Sequence, residues 1–154
     1  DGKNIEKKNY FKLFSILDPN PIFMNASIYE NICFKEKINF NEKKNIDKIL
    51  SIVEIGDKHK KKFTSDNLEA KFSQGERQKI ALARFLYFKR EFLIIDEGTT
   101  NLSSKLEFKL LRKIKKLYPD LTIIFISHRF NNLKFFNKIY ELKNKKLLIR
   151  KNLT

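Results

Sequence analysis

The chain has 154 residues, enough for one domain or most of a larger one. With 42% hydrophobic and 33% charged residues it suits a buried core and excludes a disordered chain, and the lack of any apolar run of about 18 residues excludes a transmembrane helix. The net charge of +15 comes from lysines spread along the whole length beside abundant Asn, Ile and Phe, which reads as a solvated basic surface, so no nucleic-acid partner is expected.

Asp1-Gly2 is a turn signal, and residues 1–4 have no signal-peptide character. Asn9 is placed to cap a short helix over 10–14, and Ser15-Ile16-Leu17 reads as a brief buried strand. Asp18-Pro19-Asn20-Pro21 breaks regular structure, because two prolines remove backbone donors and push their predecessors out of helical geometry. Ser27 and Glu30 have the spacing of a capping box. Residues 35–45 are polar and read as loop. Ile46, Ile49, Leu50 and Val53 give one apolar stripe to a helix over 42–54, with Gly56 as its stop. A polar loop over 57–71 carries a solvent-exposed His59 among lysines. The single Cys33 forms no internal disulfide, no Cys or His cluster has zinc-ligand spacing, and a reducing cytosolic setting is the default.

Ser73 is a natural N-cap, with Glu76 at the capping-box position, for a helix over 74–89. The unpaired N–H groups and partial positive charge of a helix start suit an anion, especially phosphate. Gly75 removes a side chain where a ligand approaches the backbone. An apolar strand over 92–95 then ends in Asp96-Glu97, and 98–101 turns the chain. A helix over 103–118 carries Leu106, Leu110, Leu111, Ile114 and Leu117 on one face. The strand over 121–126 ends in Ser127-His128 and completes a strand–helix–strand unit, which implies parallel strands. Both strands are continuous apolar runs, the pattern of a sheet covered on both faces. A short helix over 131–136, a strand over 138–142, a turn at Asn144-Lys145 and a last hairpin strand over 146–150 follow, with no internal repeat.

In parallel α/β sheets, ligands bind beyond the carboxyl ends of strands, where Asp96, Glu97 and His128 all stand. Asp96 is suited to support a magnesium ion through coordinated waters, since hard carboxylate oxygens fit that ion. Glu97 is suited to polarise an attacking water, and His128 to contact a terminal phosphate and orient that water.

Phe72-Ser73-Gln74-Gly75-Glu76 resembles the signature motif of ATP-binding cassette (ABC) proteins, usually written LSGGQ, and the continuation from Arg77 to Arg84 matches that family closely. Phe92 to Glu97 looks like a Walker B strand with its catalytic glutamate, Thr99 to Ser103 sits where the D-loop belongs, and Ile126-Ser127-His128-Arg129 looks like the switch-histidine loop. Residues 22–32 resemble the stretch after the Q-loop in exporter-type domains. The resemblance implies an α/β fold of P-loop NTPase (ABC-ATPase) type, mostly parallel, with a helical subdomain over about 22–71 and the signature helix, Walker B, D-loop, switch histidine and closing strands over about 72–154. It implies ATP and Mg2+ as ligands, and ATP hydrolysis that drives export at the cytoplasmic face of a membrane. It also implies a head-to-tail dimer with a second nucleotide-binding domain. In that dimer Ser73, Gln74, Gly75 and Glu76 meet ATP phosphate in trans, while Glu97 and His128 act as catalytic residues and Asp96 as metal ligand in cis. The helical subdomain would dock a coupling helix of the transmembrane domain.

Departures from the family pattern are specific. No G-x-x-x-x-G-K-[ST] loop occurs in these residues, so the chain reads as the later part of a domain truncated at its N-terminus, inactive by itself. Pro19 occupies the place of the Q-loop glutamine, Ser103 that of the D-loop aspartate, and Gln74 and Glu76 those of a signature glycine and glutamine. Near Lys145, lysine replaces the glycine usual in the last turn. Two other readings stand beside the exporter: a non-catalytic or degenerate domain that lends its signature to a partner, and a soluble ABC ATPase acting on nucleic acid.

Overall fold

Three parallel strands position everything else. In a computed structural model that describes residues 12–56, 72–129 and 132–150, β1 (Phe14–Leu17), β2 (Phe92–Asp96) and β3 (Thr122–Ile126) lie in the order β1-β2-β3. Phe14, expected to end a helix, instead opens β1, where it pairs with Phe92 and stacks on its ring at 4.8 Å. The rest of that helix, the 57–71 loop with His59, and Asn131 lie outside the described residues, apart from Lys12 and Leu13, which are helical.

The register aligns Leu17, Ile95 and Phe125 in one row and Ile16, Ile94 and Ile124 in the next. Successive side chains point to opposite faces. Leu17, Leu93 and Ile95 are buried on one face, while Ile16, Ile124 and Ile126 on the other are 68%, 45% and 49% exposed. The expectation of two covered faces is therefore corrected: among the described residues only one face is packed. An apolar strand records that a face is meant to be dry but not what covers it.

Among the described residues the α-helices beside the sheet include α1 (Ile28–Cys33), α2 (Phe40–Ile52), α3 (Gln74–Phe88) and α4 (Ser104–Leu117). Ser27, Asn39 and Ser73 each close a reciprocal capping box with the glutamate three residues on. The Asn39–Glu42 box starts α2 two residues before the expected position 42. Its end differs too: the left-handed residue is Glu54, with φ 59°, and the chain is turned before Gly56 is reached. Ile46, Ile49, Leu50 and Val53 are buried as the stripe requires, against a core that includes Ile80, Leu82, Phe85 and Leu86 of α3. In α4, Leu110, Leu111 and Ile114 are buried, but Leu117 is 49% exposed and Glu107 takes an inward position instead.

The expected helix over 131–136 is a short 3-10 turn, Leu133–Phe135. The last two strands, β4 (Tyr140–Lys143) and β5 (Lys146–Ile149), form a separate antiparallel hairpin. Its turn residues Asn144 and Lys145 have φ 50° and 61°, the double left-handed geometry that suits a two-residue hairpin.

Candidate functional site

Asp96 closes β2 in register with Ile126 at the end of β3, so both carboxyl ends open on one rim. Glu97 then takes φ 52°, a left-handed conformation uncommon outside glycine. Its N–H still donates to the Ile126 carbonyl at 3.0 Å, and its own carbonyl accepts from the Thr100 N–H at 3.1 Å. This sharp turn brings Glu97 Oε1 to 2.6 Å from His128 Nε2. The His128 side chain is 93% exposed and that of Glu97 36%, so the pair faces open space. Asp96, the neighbouring carboxylate, is exposed as well.

Side chains from three other elements grip the turn that follows. Gln78 of α3, fully buried, accepts the Asn101 N–H through Oε1 at 3.1 Å. Glu107 of α4, only 1% exposed, accepts the Thr99 hydroxyl at 2.5 Å and the Asn132 amide. Arg129, next to His128, donates to the Leu102 carbonyl at 2.7 Å and to the Thr100 carbonyl. Gly98 lies so close to β1 that a Cβ there would stand 2.2 Å from the Leu17 carbonyl oxygen.

The start of α3 stands on the other side of Asn101. Ser73 Oγ accepts from the Glu76 N–H at 3.3 Å and donates to Glu76 Oε2 at 2.8 Å, while the Ser73 N–H donates to the same oxygen at 2.9 Å. The helix start expected to be open to phosphate thus already holds a carboxylate from its own first turn. The space left by the missing side chain of Gly75 is also taken: a Cβ there would lie 3.0 Å from the Asn101 carbonyl oxygen. Gln74 points to the loop after β1, donating Nε2 to Asn20 Oδ1 at 2.8 Å and accepting from Arg77 through Oε1. The candidate residues therefore form two groups: Asp96, Glu97 and His128 on the strand rim, and Ser73 to Glu76 on the helix start, joined through Asn101.

Among the described residues no group of three His, Cys, Asp or Glu side chains could hold a metal. Asp96 offers a single hard oxygen donor, which fits magnesium, an ion that keeps several of its waters.

A cavity of about 580 Å3 opens between α3 and the loop after β1, lined by Ile16, Pro21, Ile22, Met24, Phe34 and Phe88 among others. Arg84 forms part of its wall. Its guanidinium donates to the carbonyls of Asn31 and Ile22, both at 2.7 Å, and lies 4.4 Å from the Phe23 ring centroid. Burial without a carboxylate partner lowers its pKa to about 10.

A family model described as ABC transporter matches residues 3–100. The chain belongs to that family. Multidrug resistance protein 1 of Plasmodium falciparum (isolate 3D7) is 36% identical over 138 residues, which cover 86% of this chain and 10% of that protein. The mesentericin-Y105 transport/processing ATP-binding protein MesD of Leuconostoc mesenteroides is 30% identical over 149 residues, covering 94% of this chain and 20% of that one. A solved bacterial Atm1-family ABC exporter with ATP bound matches in fold, with a TM-score of 0.71 at 22% identity over 90% of this chain and 25% of that chain. The chain thus spans no more than 25% of any of these three proteins. The three-stranded parallel sheet with its α4 crossover accords with the P-loop NTPase architecture of the ABC family.

In this ABC domain the roles of three residues that hold the turn, Gln78, Glu107 and Arg129, and of one that walls the cavity, Arg84, escaped the sequence reading. Glu107 and Gln78 had a legible signal, since each is a polar residue on an apolar stripe: Glu107 with Leu110, Leu111 and Ile114, and Gln78 with Leu82, Phe85 and Leu86. Arg84 and Arg129 each end a motif that resembles the family's, but nothing in those motifs names their acceptors, because an arginine that caps backbone carbonyls looks in sequence like any surface arginine.

Proposed function

We propose that this chain is the ATP-hydrolysing part of an ABC exporter, working at the cytoplasmic face of a membrane as half of a head-to-tail pair of nucleotide-binding domains. The observation that carries the reading is the Glu97–His128 contact beside Asp96 on the rim of two parallel strands. Glu97 accepts a proton from a water that attacks the terminal phosphorus, while the bond from that phosphorus to the oxygen of ADP breaks. His128 fixes the Glu97 carboxylate and orients the water. Asp96 would hold a magnesium ion, which would draw off negative charge from the phosphates. Ser73 and Gly75, at the start of α3, close on nucleotide held by the partner domain, whose phosphate displaces the Glu76 carboxylate from the Ser73 N–H and hydroxyl. The phosphate loop that cradles the nucleotide comes from residues other than these, so residues 1–154 alone are a poor ATPase. The membrane path belongs to a separate transmembrane domain, as in the exporters this chain resembles; no helix among the described residues is long and apolar enough to cross a membrane. A helix of that domain docks in the cavity beside Arg84, where Ile22 and Phe34 are 83% and 54% exposed.

The test is ATP turnover by the complete transporter carrying Glu97→Gln. Turnover falls by about 10²-fold or more while nucleotide binding persists. Turnover within a few-fold of the unsubstituted protein would sink the assignment.

A further inference from the structure

The two amide side chains Gln74 and Gln78, one helical turn apart on α3, both reach the loop after β1. Gln74 donates to Asn20 Oδ1 at 2.8 Å and Gln78 donates to the Pro19 carbonyl at 3.2 Å. Residues four apart share a helix face, so the pair acts as one two-pronged grip. Gln78 does more, because its other end accepts the Asn101 N–H at 3.1 Å. One fully buried side chain thus joins backbone groups 59 residues behind it and 23 ahead of it.

We propose that Gln78 is a positioning residue that ties the cavity loop to the catalytic turn, so that what sits in the cavity sets the posture of Glu97 and His128. This rests on the functional reading above. The loop end of the link is at the cavity, since Asp18, Asn20, Pro21 and Ile22, which flank Pro19, line it. The other end is in the turn that Glu97 begins. Asn101 sits between Thr100 and Leu102, whose carbonyls are the two acceptors of Arg129, the neighbour of His128. A movement of the Pro19 backbone therefore pulls on a hydrogen-bonded chain that ends at the histidine in contact with Glu97. In a core-filling role a leucine or methionine of similar volume would serve without burying an amide. A glutamine whose donor and acceptor ends meet different segments is what a mechanical link requires. Pro19 stands where the family pattern has a glutamine, and here the amide side chains come to that loop from the opposite wall.

The experiment compares Gln78→Leu and Gln78→Glu with the unsubstituted protein in the complete transporter, reconstituted in lipid vesicles. Transport and ATP hydrolysis are measured together, with the KM for ATP and the melting temperature. Gln78→Glu keeps an acceptor for the Asn101 N–H but has no donor for Pro19 when ionised, and Gln78→Leu loses both bonds. Both variants are expected to lower transport per ATP hydrolysed by at least about fivefold, with KM for ATP changed less than about twofold. An unchanged ratio in Gln78→Glu, whether or not the melting temperature drops, would make Gln78 a structural residue and overturn the proposal. If Gln78→Leu does not fold, the near-isosteric glutamate variant decides alone. An unsubstituted transporter that neither hydrolyses nor transports would sink the functional reading and this link with it. One that does both, with Gln78→Glu equally coupled, would sink the link alone.

Discussion

His128 Nε2 and Glu97 Oε1 are 2.6 Å apart across the ends of two neighbouring parallel strands. The contact is made by an exposed imidazole, so its loss leaves no cavity and no buried orphan. His128→Ala is expected to lower ATP turnover by about 10²-fold. Stability should stay within about 0.5 kcal/mol, as for other exposed substitutions. Parallel turnover and denaturation measurements check both; equal loss of both would mean the histidine is structural.

Glu97 keeps its left-handed φ of 52° at a cost that glycine does not bear. Glu97→Gly is therefore expected to abolish turnover while leaving stability unchanged or raised by up to about 1 kcal/mol. Chemical denaturation of the variant reads this directly. A loss of stability would mean that the Glu97–His128 contact holds the turn, and not the reverse.

Arg84 satisfies two carbonyls and the Asn31 side chain with one planar fork. Lysine carries the same charge but reaches one of these groups at a time. Arg84→Lys is expected to destabilise the protein by about 1–3 kcal/mol, since buried acceptors lose their donors. Because Ile22 and Phe23 lean on the same guanidinium, faster backbone hydrogen exchange over 22–26 should accompany the loss.

Lys109 Nζ lies 2.5 Å from Glu54 Oε1 and joins α4 to the end of α2. The hydrogen bond from Lys109 holds the Glu54 carboxyl below its ordinary value of 4.5, against the opposing effect of burial. A lowered native pKa adds stability above the unfolded value, and that stability is lost as pH falls through the native one. Both side chains are partly exposed, so the contribution is about 0.5 kcal/mol near neutral pH. Glu54→Gln should show that difference in denaturation curves near neutral pH and almost none once the pH has fallen below the lowered native pKa of Glu54. A difference that persists in acid would assign it to packing.

The strand rim was legible because its chemistry is local. Asp96 follows an apolar run at once and Glu97 and His128 come one residue later, and parallel pairing places such strand ends side by side. The capping box at Ser73 was legible for the same reason, since four consecutive residues define it. The grip on the 97–103 turn was not. Gln78 and Arg129 act on backbone atoms, and a carbonyl or N–H has no letter in the sequence, while Glu107 binds the side chains of Thr99 and Asn132, which tertiary packing brings to it. The use made of Gly75 was likewise invisible, because the group that fills its space, the Asn101 carbonyl, is brought there by tertiary packing alone.

The isoleucine face of the sheet has a calorimetric consequence. Ile16, Ile124 and Ile126 are wetted among the described residues. Hydrated apolar surface carries heat capacity, and each side chain that passes from water into a dry contact gives some of it up. Whatever polypeptide closes over this face will therefore bind with a markedly negative heat-capacity change. Replacing Ile124 by threonine should shrink that change in proportion to the area lost, whether or not affinity moves.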